Sequence, residues 1–159
     1  MFDVLRFIEH HRYRYGVVEN VVDIARNPKY AAPWDAWQTG LRNLGYSYTV
    51  VSLNSMHAQA VGLPAPQSRD RIYVVFWRND QPAPFMRPRA WCTRCDTVVE
   101  SFQAWKPGRT IGKYRQQYIY LCATPGCGTT VEPGWLPAAA AIDWSIEGRR
   151  IGDRPKPLA

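Results

Sequence analysis

Cysteine is missing from the first 91 residues of this 159-residue chain; all four cysteines lie at Cys92 or beyond. A thiol nucleophile or a thiolate metal site is therefore excluded from the first half. Long apolar runs are missing too. No stretch approaches the roughly 20 consecutive apolar residues of a membrane span, and no membrane association is expected. The opening Met1-Phe2-Asp3-Val4-Leu5-Arg6 lacks the basic-then-apolar layout of a secretory signal. A cytoplasmic protein with reduced thiols is the expectation. There is no internal repeat and no low-complexity tract. What remains, at 46% hydrophobic residues, is enough for one domain with a core, or a core plus a small satellite.

Charge is unevenly spread. The formal net charge is +7, yet residues 1–80 hold nine Lys and Arg against seven acidic residues. Residues 87–118 hold seven (Arg87, Arg89, Arg94, Lys106, Arg109, Lys113, Arg115) against Asp96 and Glu100. The excess sits in the middle segment, as expected of a surface that meets phosphates. A solvated basic face has the same composition.

Periodicity gives an α/β order. Phe2, Leu5 and Ile8 recur at helical spacing, which predicts an amphipathic helix over 2–12. Gly16 introduces a short buried strand, Val17-Val18, ending at Glu19-Asn20. A second helix is predicted from Trp34 to Leu44, with Trp34, Trp37, Leu41 and Leu44 on one face, Pro33 at its start and Gly45 at its stop. Tyr46 to Leu53 reads as a strand, Ser55 as the cap of a short turn ending near Gly62-Leu63-Pro64, and Ile72 to Trp77 as a strand covered on both faces. Pro82, Pro84 and Pro88 mark a boundary over 79–90. Short β-like pieces between cysteine turns follow to Pro137, then a small-residue helix from Ala138. His10 and His11 end a helix and are expected to be exposed; His57, in the turn before the arginines, could face a pocket. None of the three is expected to be catalytic.

Two motifs carry the chemistry. Glu19-Asn20-Val21 ends one apolar run, and Gln67-Ser68-Arg69-Asp70-Arg71 leads into another. Arg69 and Arg71, two apart at a strand start, can share a face, and ligands of open α/β sheets bind beyond strand ends. A carboxylate and two arginines so placed can converge on one flat polar ligand. In this order and context the motifs resemble the cytosine-C5 DNA methyltransferase family, which carries Glu-Asn-Val and then Gln-x-Arg-x-Arg. Methylating C5 of cytosine requires a thiolate to add at C6, which pushes negative charge onto N3 and O2, and oriented groups at those atoms lower the barrier. The base must also leave the duplex. The resemblance implies that Glu19 contacts N3 and the exocyclic amine, that Arg71 holds O2, and that Arg69 supports the pocket or a nearby phosphate. Asn20 fixes the turn after the strand and Gln67 holds the loop. The family usually runs Gly-x-Pro-Gln before the arginines; here Gly62-Leu63-Pro64-Ala65-Pro66-Gln67 is two residues longer.

Two family parts have no counterpart. The nucleophile sits in a Pro-Cys-Gln loop upstream of Glu-Asn-Val, and the 18 residues ahead of Glu19 contain no cysteine. The glycine-rich turn that opens the family's first strand and holds S-adenosylmethionine is absent as well: Gly16 is the only glycine ahead of Glu19. The implied reading is a fragment or subunit covering the middle of the family. By itself it would neither bind S-adenosylmethionine productively nor methylate DNA.

Cys92-x2-Cys95 and Cys122-x4-Cys127 are two close pairs separated by 26 residues. Tetrahedral zinc takes four thiolates at about 2.3 Å, and short turns deliver two from each arm. Gly126 and Gly128 free the second turn to wrap a metal. A structural zinc site is expected; four free thiols or disulfides are the alternative. Between the pairs, Trp105 to Gln117 mixes cations with donors suited to base edges, notably Arg109, Lys113, Arg115 and Gln116. A mobile polar hairpin is its plain alternative. By resemblance this is the target-recognition region.

The expected fold class is α/β: a partial class I methyltransferase-like, Rossmann-like sheet followed by a zinc-ribbon-like β segment. Residues 1–80 would be the C-terminal part of a catalytic domain, 81–137 the recognition segment, and 138–159 a return segment. Expected partners are double-stranded DNA and a complementary chain carrying the cofactor-binding half, in a bacterium or phage-infected host and in a restriction-modification setting. Two rivals stand beside this reading: a non-catalytic zinc-dependent DNA-binding protein, and an inactive gene relic.

Overall fold

A computed structural model describes residues 1–59, 62–148 and 150–153. The apolar spacing of the first residues forms helix α1 (Phe2–His11), which stops where Arg12 turns left-handed at φ 53° and donates its N–H to Ile8 O. Ile8 is the α1 residue buried outright, with Leu5 packed at the core margin. Helix α2 (Ala31–Asn43) carries Pro33 in its first turn, where the absent N–H costs nothing. Its face of Trp34, Trp37 and Leu41 is buried, with Leu44 beside it. A Cβ at Gly40 would overlap Leu5, so this glycine sets how closely α1 lies on α2. Gly45, at φ 83°, turns the chain out of the helix as expected.

Strands β1 (Tyr15–Asn20), β2 (Tyr46–Asn54) and β3 (Asp70–Arg78) form one sheet in the order β1-β3-β2, and both pairings are antiparallel. Ile72, Val74 and Phe76 of β3 face the helices, and Trp37, Leu41 and Tyr46 close the core over them. Arg71, Tyr73, Val75 and Trp77 point to the other face and are only half buried. The expected two-sided cover is thus one-sided among the described residues, as antiparallel sheets allow. β1 corrects the sequence reading further: it is an edge strand, Val17 is 62% exposed, and only its alternate residues are partly covered. No strand pair among the described residues is parallel.

A second antiparallel sheet takes β4 (Arg89–Cys92), β5 (Thr97–Trp105), β6 (Tyr118–Cys122) and β7 (Thr130–Val131) in sequence order. An Ala90–Pro133 bridge brings its two edges together around Ala90, Val99, Tyr118, Tyr120 and Val131. The molecule is therefore mixed α/β with two antiparallel sheets. From Ala138 the expected helix is only one tight turn, Ala138–Ala141, because four alanines are too few to propagate an α-helix without packing. No helix among the described residues is long and apolar enough to cross a membrane.

Gly16 lies under the ring of Phe76, where a Cβ would overlap the ring carbons. Gly16→Ala is expected to lower stability by about 1–3 kcal/mol, as overpacking does. An unchanged denaturant midpoint would contradict this packing.

Candidate functional site

The edge strand β1 and central strand β3 bring the two motifs together. Glu19 pairs across the ladder with Tyr73, and Asn20 with Ile72, so the Glu19 side chain lies on the same sheet face as Arg71. Arg71 Nε donates to Glu19 Oε1 at 2.7 Å, and Arg71 Nη1 donates to Asp70 O at 2.7 Å. The arginine side chain is 14% exposed and the carboxylate 50%, so a half-sheltered pair opens to solvent on the acidic side. With Nε and Nη1 engaged, Nη2 of Arg71 and Oε2 of Glu19 are the atoms left to take a ligand. Asn20 Oδ1 accepts from Val21 N–H at 2.8 Å and holds the turn beyond the strand. Arg69 and Gln67 are exposed and stand outside this pair.

Buried Asn54 organises the start of β3. Its Oδ1 accepts from Arg69 N–H at 2.9 Å and Met56 N–H at 3.2 Å; its Nδ2 donates to Ser68 Oγ at 3.1 Å and Asp70 Oδ1 at 3.2 Å. Asn54, rather than Ser55, caps the single turn Ser55–His57, and Ser55 N–H and Oγ both donate to Arg69 O. Ala60 and Val61, within the expected extension of that turn, lie outside the described residues. The chain just ahead of Arg71, from Ser68 to Asp70, is thereby fixed by one carboxamide. Asp70 extends the network, because its Oδ1 also accepts from Tyr114 N–H at 3.0 Å. Gly112 N–H donates to Ser52 Oγ at 3.1 Å, and Gln103 Nε2 donates to Ser52 O. Gln59 spans to Gly134 O and Arg89 N–H. The basic loop and the second sheet are thus tied to the end of the first sheet that carries Arg71.

The four cysteines meet at the hairpin turns of the second sheet. Cys92 and Cys95 bracket the β4–β5 turn; Cys122 ends β6, and Cys127 precedes β7. All are free thiols. Cys92 and Cys127 sulfurs are 3.6 Å apart, Cys95 and Cys122 sulfurs 3.8 Å, and all four lie within 4.8 Å of one another. Sulfurs at about 2.3 Å from a central metal stand about 3.8 Å apart at the corners of a tetrahedron. The cluster therefore fits a tetrahedral metal ion. The Thr129 hydroxyl and N–H hold the Cys127 thiol down to about 6, whereas a hydrogen shared with Cys127 pushes Cys95 up to about 12. A metal dication binds the thiolate form, toward which Cys127 is already disposed.

The loop from Lys106 to Gln117 exposes Lys106, Arg109, Lys113 and Gln116. Arg115 differs. At φ 62°, it reaches back so that Nη2 donates to Glu132 Oε1 at 3.0 Å, and its guanidinium lies over the Tyr114 ring. His57 is buried against Tyr114 and Tyr120 where the sheets meet. Sequence reasoning missed Ser52, Asn54, Asp70 and Glu132. The one local signal was Asn54, a carboxamide closing the strand Tyr46–Asn54.

The family model described as C-5 cytosine-specific DNA methylase matches residues 1–116. No curated protein matches the chain.

Asn54→Ala strands two backbone N–H groups, those of Met56 and Arg69. It is expected to cost about 1–3 kcal/mol, the penalty of buried donors left unpaired. Equal stability of variant and parent in urea would remove Asn54 from this role.

Proposed function

The chain belongs to the C-5 cytosine-specific DNA methylase family, and from that premise we propose that it supplies the flipped-cytosine pocket and the DNA-recognition segment of a cytosine-C5 methyltransferase. The observation that carries this reading is the Glu19–Arg71 pair, 2.7 Å apart at adjoining strand ends. Glu19 Oε2 offers an acceptor to the exocyclic amine and, when protonated, a donor to N3. Arg71 Nη2 offers a donor to O2. Both groups stabilise the charge that develops on the ring when C6 is attacked. Arg69, exposed two residues from Arg71, is suited to a phosphate beside the extruded base.

Residues 1–80 act in this reading as part of the catalytic domain, 81–137 as the recognition segment, and 138–159 as a return segment. Lys106, Arg109 and Lys113 meet phosphates of double-stranded DNA, and Gln116 reads a base edge. Arg115, 70% exposed with Nη2 on Glu132, keeps further N–H donors for a phosphate. Zinc is the metal this reading assigns to the cysteine cluster, because four thiolates at about 2.3 Å from it would stand at the sulfur spacing found. It would lock the β4–β5 and β6–β7 turns and so hold the loop between them.

In this reading the residues described do not make a site for S-adenosylmethionine, the methyl donor of the reaction, because no glycine-rich turn leads into β1; nor do the first 91 residues hold a cysteine for the nucleophile. The cofactor site and nucleophile come, in this reading, from a complementary segment. The free edge of β1, with Tyr15 and Val17 exposed, offers that segment unpaired backbone and apolar surface. DNA binding without chemistry is the second reading; duplex binding with no methylation even beside a complementing partner would favour it.

The chain alone is expected to form no 5-methylcytosine. Mixed with a polypeptide bearing the glycine-rich turn and a Pro-Cys-Gln loop, it is expected to restore methylation, and Arg71→Ala or Glu19→Gln to lower the rate by about 10²–10³-fold. Methylation by the chain alone, or reconstituted activity indifferent to Arg71→Ala, would contradict the proposal. Protein purified without chelator is expected to carry one zinc per chain, and Cys95→Ser to lose it; a stoichiometry near zero in the parent protein removes zinc from the account.

A further inference from the structure

His57 sits on the single turn after β2, at the meeting of the two sheets, with its side chain fully buried. Tyr114 and Tyr120 approach its ring edge-on, with centroids at 4.5 and 5.4 Å. Neither ring nitrogen has a hydrogen-bond partner among the described residues. The nearest carboxylate oxygen, Glu132 Oε1, is 3.9 Å from Nε2, and it already accepts from Arg115 Nη2 at 3.0 Å and Tyr114 OH at 3.2 Å. These contacts suit an uncharged imidazole. A buried imidazolium needs a charge-assisted hydrogen bond at about 2.8 Å, and Glu132 would have to leave its loop partners to provide it.

We infer that His57 is a positioning residue that holds the recognition loop against the pocket sheet, and that it does so only as a neutral ring. The loop amides of Gly112 and Tyr114 are bonded across this joint to Ser52 Oγ and Asp70 Oδ1. Protonation of His57 draws Glu132 away from Tyr114 and Arg115 and loosens both amides. The groups that bear on the ring are Glu132 beyond β7, Arg115 in the loop, Asp70 at the start of β3, and the two tyrosines. Burial lowers the His57 pKa and is the largest influence; Glu132 and Asp70 oppose it, and Arg115 adds to it. A depressed imidazole pKa means that the unfolded chain binds the proton more readily. The stabilisation is therefore complete above about pH 6.5 and fades as pH falls below it.

The test uses the intact chain. The His57 ring is titrated by NMR while amide exchange is followed at Gly112, Tyr114 and, as a core reference, Val74. Protection of Gly112 and Tyr114, corrected for intrinsic rates, is expected to fall at least about tenfold across the His57 titration, with a midpoint below the ordinary histidine value and Val74 unchanged. His57→Phe keeps the ring contacts and cannot ionise, so both amides should stay protected throughout; His57→Gln serves if the phenylalanine variant does not fold. A ring that stays neutral wherever the sheet is folded, or that protonates while both amides remain protected, overturns the inference. So does a variant that loosens at the same pH as the parent. The consequence for DNA rests on the proposed function, and duplex binding on the same samples separates the two. Affinity that ignores the state of the amides counts against DNA contact by the loop and leaves the joint standing.

Discussion

The buried carboxamide of Asn54 holds the start of β3, and most of the candidate site depends on that hold. Its oxygen fixes the backbone at Met56 and Arg69, while its nitrogen fixes Ser68 and Asp70. Arg71 follows directly, so its reach toward Glu19 is set by a backbone that cannot drift. Through Asp70 the same network takes up Tyr114 of the basic loop. A base lodged at the Glu19–Arg71 pair and a duplex lying against the loop would thus share one frame. Buried polar networks are costly when incomplete and specifying when complete, and this one has a partner for each Asn54 side-chain atom.

The cysteine cluster does the corresponding work in the second sheet. Four short strands around a small core bury little apolar surface, and such units commonly lean on a metal or disulfides. Here the sulfurs stand at metal-binding rather than disulfide distances. Fixing both hairpin turns leaves the loop between β5 and β6 as the free element. That loop is then pinned by Gly112 and Tyr114 at its far end. The arrangement presents Arg109 and Lys113 on a rigid base while drawing Arg115 back to Glu132.

Local features were readable in the sequence. Trp34, Trp37 and Leu41 lie inside because helical spacing alone puts them on one face, and Gly45 ends α2 because only a left-handed turn fits there. The paired cysteines were readable for the same reason, as were Glu19 and Arg71 once two motifs stood in the right order. Features set by distant neighbours were not readable. β1 looked buried from Val17-Val18, yet its exposure depends on which strands flank it. Arg115 is exposed as expected, but its bond to Glu132, 17 positions away, has no local signal. His57 and Asn54 act through Tyr114 and Asp70, and no periodicity connects those positions. The antiparallel pairing of β3, although its apolar run suits a two-sided strand, is likewise a property of the assembled sheet.

The proposed role of Glu19 and Arg71 is to receive a cytosine outside the helix. The most direct measurement compares the affinity of the chain for a duplex holding one unpaired cytosine with its affinity for the fully paired duplex. An unpaired base spares the cost of extrusion, a few kcal/mol, so tighter binding to the unpaired duplex is expected, with the preference lost in Arg71→Ala. Equal affinity for both duplexes, or a preference that survives Arg71→Ala, would contradict the claim that Glu19 and Arg71 form the pocket.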